Sequence, residues 1–152
     1  MAIDELGWLV GEWTDDWRRG EPGLSTAGGE SWSPQLGGQI LVRTCWCEYP
    51  ATAAEPAFRH DDLLVVFRDF DGQHRAIFWD NHGHVIRYAT AAFDPDQLGF
   101  TLESDPSVPG PRQRLHYRAS GANQLAADFK LQLPGATSFS PYLEWASSRA
   151  LR

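Results

Sequence analysis

Leu6-Gly7-Trp8-Leu9-Val10-Gly11-Glu12-Trp13 packs an apolar turn of helix, a glycine stop and the start of an aromatic strand into one short segment. Asp4 is suited to cap that helix, whose apolar residues are Ile3, Leu6, Leu9 and Val10, and Gly11 is suited to end it. Beyond Gly11 the chain reads as short strands broken by turn residues. The expected strands are residues 11–19, 29–33, 40–49, 62–68, 73–80, 84–93, 99–103, 112–119, 124–132 and 141–150. Gly37-Gly38, Asp71-Gly72, Gly83, Asp94-Pro95-Asp96, Gly121-Ala122-Asn123 and Pro134-Gly135 supply turns between them. Most connections are too short for crossover helices, so successive strands should pair as antiparallel hairpins. Residues 20–28 and 50–61 are longer intervals and read as loops at a barrel mouth. The pattern predicts an all-β fold: an antiparallel up-and-down β-barrel of about ten strands, with a short N-terminal capping helix.

The chain has 152 residues, which fits a single domain over 1–152. A hydrophobic fraction of 42% and seven tryptophans are ample for a packed interior. The net charge of −7 argues against nucleic acid and against an anionic membrane surface as partners. No apolar run approaches the ~18 residues that span a bilayer. Asp4 and Glu5 stand where a secretory signal would carry basic residues, so a cytoplasmic location is expected. Cys45 and Cys47 share one face of a strand with parallel Cβ vectors, which suits two reduced thiols better than a disulfide.

Alternation assigns the faces. In 112–119 and 124–132 the consistent solution turns Leu115, Tyr117, Leu125, Phe129 and Leu131 inward. Arg112, Arg114, His116 and Arg118 then face water. Val42, Thr44, Trp46 and Glu48 are expected inside, opposite an outward Arg43. His84, Ile86, Tyr88 and Thr90 are expected inside, opposite an outward Arg87. Strand 73–80 is apolar on both faces, with Ala76 and Phe78 against Ile77 and Trp79. Such a strand is what a homodimer contact would use.

A barrel of this size encloses room for one small molecule. Trp46, Tyr88, Tyr117, Phe129 and Trp145 are the candidates for lining the space, with His84 and Glu48 as polar groups to orient a ligand. The competing reading is that the same aromatics simply fill the barrel. Asp80-Asn81-His82-Gly83-His84 has two histidines at metal-ligand spacing, but Gly83 should bend the chain and break their common face. No metal site and no cofactor are expected. No serine sits in a strand-turn-helix elbow, so no nucleophile is assigned.

Leu6-x-Trp8-Leu9-x-Gly11-x-Trp13, about ten short strands, and Trp79-Asp80 near mid-chain resemble the calycin superfamily. Lipocalins, fatty-acid-binding proteins and nitrobindins belong to it, and the nearest likeness is to uncharacterised bacterial lipocalin-like and nitrobindin-like proteins. The resemblance implies that Trp13 packs at the closed end of the barrel, with Arg149 as an arginine partner. Nitrobindins hold haem through a late histidine, whereas this chain has none after His116. The Arg-x-Tyr that fatty-acid-binding proteins carry on the last strand is absent from 141–150 as well. The expected function is therefore binding of a small apolar or aromatic molecule inside the barrel. The alternatives are an isomerase or hydrolase using an interior carboxylate or histidine, and haem binding through His60 or His116.

Overall fold

In the computed structural model, which describes residues 2–150, the opening segment is a 3-10 helix, Ala2–Leu9. It starts before Asp4, which therefore lies in its first turn rather than capping it. Eleven strands follow: β1 Gly11–Gly20, β2 Gly23–Leu24, β3 Ala27–Gln35, β4 Ile40–Tyr49, β5 Phe58–Arg68, β6 His74–Asp80, β7 Val85–Asp94, β8 Gly99–Ser104, β9 Arg112–Gly121, β10 Gln124–Gln132 and β11 Ser140–Arg149. From β3 onward each strand pairs antiparallel with the next, β1 pairs with β3, and β11 returns to pair with β1. Ten strands thus close into a barrel, and two-residue β2 is an addition at the end of β1. Closure leaves the main ladder without an open edge.

The helix plugs one end. Ile3, Leu6 and Leu9 are buried with Trp13, Trp32, Leu64, Leu125 and other inward residues in one apolar cluster. Trp13 donates its indole N–H to the Leu9 carbonyl at 2.7 Å, tying strand to helix. Arg149 lies 4.3 Å over the Trp13 ring and donates to the carbonyls of Val10 and Trp8 at 2.7 and 2.9 Å. Gly11 has φ +130, and a Cβ there would lie 2.6 Å from Arg149 Nη1, so the glycine both turns the chain and makes room for the arginine.

On β9 and β10 the inward residues are Leu115, Tyr117, Leu125, Ala127 and Phe129, as alternation predicts. The expected faces of β4 are reversed. Leu41, Arg43, Cys45, Cys47 and Tyr49 are buried, whereas Thr44 and Glu48 are exposed and Trp46 lies on their outer face. On β7 Tyr88 is buried as expected, but a bulge between Tyr88 and Thr90 turns Thr90 outward and brings Ala91 and Phe93 onto the core. β6 buries Ala76 and packs Phe78 on the core, leaving Trp79 40% exposed on the outer wall between Leu63 of β5 and Val85 of β7. β5 begins at Phe58, inside the interval expected to be a loop, so His60 stands on a strand. No helix among the described residues is long and apolar enough to cross a membrane.

Candidate ligand-binding cavity

A cavity of about 470 Å³ occupies the barrel end away from the helix. Arg18 and Pro22 reach it from the far end of β1, Tyr49 and Phe58 from the β4–β5 connection, and Asp80, His82, His84 and Val85 from the β6–β7 hairpin. Phe78, Ile86, Leu115, Phe129 and Trp145 form much of its apolar wall. The volume lies in the range of pockets that enclose a small molecule, and such pockets pair apolar walls with a few polar groups.

The polar groups form two buried clusters beneath and beside that wall. In the first, Arg18 donates to Asp15 at 2.7 Å and to the Cys45 sulfur at 3.4 Å, and Ser147 donates to the same carboxylate at 2.9 Å. The Arg18 guanidinium also lies 4.2 Å from the centre of the Trp145 ring. In the second, Arg43 donates to Asp62 and to the Tyr117 hydroxyl, and Tyr117 donates in turn to Glu30 at 2.8 Å. Trp32 gives Glu30 a further N–H at 3.3 Å. Burial raises the Glu30 carboxyl above its ordinary range, and the charges of Arg43 and Arg18 oppose that shift. Burial likewise pushes the Cys45 and Cys47 thiols up, so neither is poised as a thiolate, and both are free cysteines.

The rim is built around Asp80. Its Oδ1 accepts the amides of His82 and His84, and its Oδ2 faces His84 Nδ1 at 2.8 Å and His60 Nε2 at 3.2 Å. Burial raises this carboxyl, but the bonds from the His84 amide and ring, the His60 ring and the His82 amide outweigh it and hold it below the usual range. His60 Nδ1 faces Asp62 Oδ2 at 3.6 Å, and the His60 ring stacks on His82 with centroids 5.4 Å apart. The hairpin is sharp because Gly83 takes φ +86. Among the described residues no group of three or more His, Cys, Asp or Glu side chains is arranged to hold a metal ion.

Of the expected lining residues, Tyr88, Phe129, Trp145 and His84 line the cavity. Tyr117 is fully buried in the polar network beside it rather than in its wall. Trp46 and Glu48 belong to the outer wall: Arg59 stacks 4.9 Å over the Trp46 ring and lies 3.7 Å from Glu48. These two cannot touch a ligand inside the barrel. Arg43, Asp62 and Asp80 line the cavity although sequence reading left them outside it, and His60, named there only as a haem ligand, lines it too. A signal for Arg43 was present, since Leu41, Cys45, Cys47 and Tyr49 outnumber the apolar residues of the opposite face. Of the two histidines named for the haem alternative, His116 bonds Thr101 away from this cavity, and both nitrogens of His60 face carboxylates.

The class defined by these observations is a closed ten-stranded antiparallel β-barrel with an internal cavity at one end. No family model and no curated protein matches the chain. Among solved structures it is similar to the crystal structure of Rv2717c from M. tuberculosis, at 14% identity and a TM-score of 0.65, over 99% of this chain and 98% of that one. At that identity the likeness is one of fold.

Proposed function

We propose that this protein binds a small, largely apolar molecule inside the open end of its barrel, in the manner of the calycin superfamily its N-terminal segment resembles. The cavity of about 470 Å³, walled by Phe78, Phe129, Ile86 and Trp145, carries this reading. A filled barrel would not leave such a space. Each 100 Å² of apolar ligand surface taken from water there contributes about 2.5 kcal/mol before the cost of ordering the ligand. Native mass spectrometry of the freshly purified protein, compared with its denatured mass, tests the reading together with a titration of naphthalene. Extra mass lost on denaturation, or saturable naphthalene binding, is expected. A bare native mass with no saturable binding would overturn it.

A second reading, acid–base catalysis, rests on the rim. The buried Asp80 carboxylate fixes His84 through Nδ1, and the His84 ring, 70% exposed, keeps Nε2 clear at the cavity mouth. A histidine oriented in this way can take a proton from a bound molecule. Hydrolysis of p-nitrophenyl acetate above background, abolished in both His84→Ala and Asp80→Asn, would favour it. Rates equal to background would remove it.

A further inference from the structure

Tyr88 is 2% exposed on the inward face of β7, and it lines the cavity. Its hydroxyl has no hydrogen-bond partner among the described residues. Nor is it sealed from the space around it: the sealed side-chain atoms lacking a partner are Arg43 Nε, His74 Nε2, Arg112 Nε and Trp145 Nε1. Of the other tyrosines, Tyr117 is engaged with Glu30 and Tyr49 with Cys47, while half-buried Tyr142 lines the cavity with its ring edge-on to Phe129. The Tyr88 hydroxyl therefore faces the cavity, where a polar atom of a ligand can meet it, and one neutral hydrogen bond made there is worth a few-fold in affinity.

The charges around it limit what can arrive. The two lining arginines are already matched, Arg18 by Asp15 and Arg43 by Asp62. Asp80 is saturated by His60, His82 and His84. Each guanidinium charge is thus balanced, so an anionic ligand would meet no unpaired positive charge, and a cationic one would have to displace an existing bond. Gln113 adds an uncharged polar side chain to the lining. Burial holds the Tyr88 hydroxyl well above its ordinary range, so it stays protonated and can both donate and accept.

We infer that the ligand is an uncharged ring compound bearing one hydroxyl or carbonyl group, its oxygen hydrogen-bonded to the Tyr88 hydroxyl and its ring held among Phe78, Phe129 and Trp145. This inference rests on the cavity being a binding site, as proposed above. The test titrates naphthalene, 2-naphthol and 2-naphthoate against the wild-type protein and Tyr88→Phe at pH 7, following probe fluorescence. Phe keeps the ring and deletes only an unpartnered hydroxyl, so the variant should melt no lower than wild type.

The expected result is that Tyr88→Phe weakens 2-naphthol about threefold to tenfold, the worth of one hydrogen bond, and leaves naphthalene unweakened. The wild-type protein should bind 2-naphthoate least. An equal effect of Tyr88→Phe on naphthalene and 2-naphthol, or no effect on either, would overturn the inference while leaving the cavity a binding site. Tighter binding of 2-naphthoate than of 2-naphthol would overturn it also. No saturable binding of any probe would defeat the binding reading and this inference with it.

Discussion

Arg149, on the last strand, caps the ring of Trp13, on the first, at 4.3 Å, and with two further N–H groups holds the carbonyls of Trp8 and Val10. One side chain thus joins the strand that closes the barrel to the helix that plugs it. Trp13→Ala should destabilise by about 3–5 kcal/mol, because a large buried ring and its bond to Leu9 are both lost. Gly11→Ala should also destabilise, through its positive φ and the contact with Arg149. Urea unfolding measures both, and an unchanged midpoint for Trp13→Ala would show that the helix end is not held in this way.

Arg43 and Asp62 form an ion pair whose side chains are 3% and 5% exposed. Removing one partner leaves the other charge buried and unpaired, a loss of about 3–5 kcal/mol. Arg43→Met should suffer most, since Tyr117 and Glu30 lose their donor and neighbouring cation as well. Replacing both residues, Arg43→Met with Asp62→Leu, should recover part of the loss. A double variant no more stable than Arg43→Met would mean that the pair is not the element at stake.

The same arginine marks the limit of what the sequence discloses. The barrel was legible because turn residues and strand-length apolar runs recur along the chain, and Gly11 and Trp13 announce the plugged end. The inner face of β4 was not legible in the same way. A charge on one of two alternating faces is usually on the wet side, and Arg43 is inside only because Asp62 and Tyr117, far along the chain, meet it there. Asp62 was missed as a site residue, and His60 was read as lying in a loop, for a related reason: an interval rich in Pro and Ala ends at Phe58, where pairing with Tyr49 starts β5. Tyr88, Phe129 and Trp145 were found because large aromatic residues on an apolar face need no distant partner to be buried.

Asp80 and Glu30 should bend the pH dependence of stability in opposite directions. The Asp80 carboxyl is held below its ordinary range, so its contribution is fully present above the unfolded value of about 3.9 and is lost as pH falls through the folded one. Glu30 is raised, chiefly by burial, so ionising it lowers stability as pH climbs from the ordinary value through the folded one. Urea unfolding at pH 7, 5 and 3 should show a smaller acid loss for Asp80→Asn than for wild type. The difference between the two proteins is the informative quantity, because exposed Asp71 and Asp105 are also held low. Identical losses would show that the His60–Asp80–His84 cluster does not favour the ionised carboxyl.

Trp46 and Phe129 separate the two walls of the barrel in a binding experiment. Phe129 lines the cavity on β10, whereas Trp46 packs outside under Arg59. Phe129→Ala should weaken 2-naphthol by about 1 kcal/mol or more, roughly fivefold, through lost apolar contact. Trp46→Ala should leave the affinity unchanged while lowering stability, through the cation–π contact, worth about 0.5–1 kcal/mol, and the half-buried ring surface lost with it. The contrast depends on the strand register alone, since both residues are aromatic and either could serve as a wall. If Trp46→Ala weakened the probe as much as Phe129→Ala, bound molecules would have to sit against the outer surface, and the inward cavity would lose its claim to be the site.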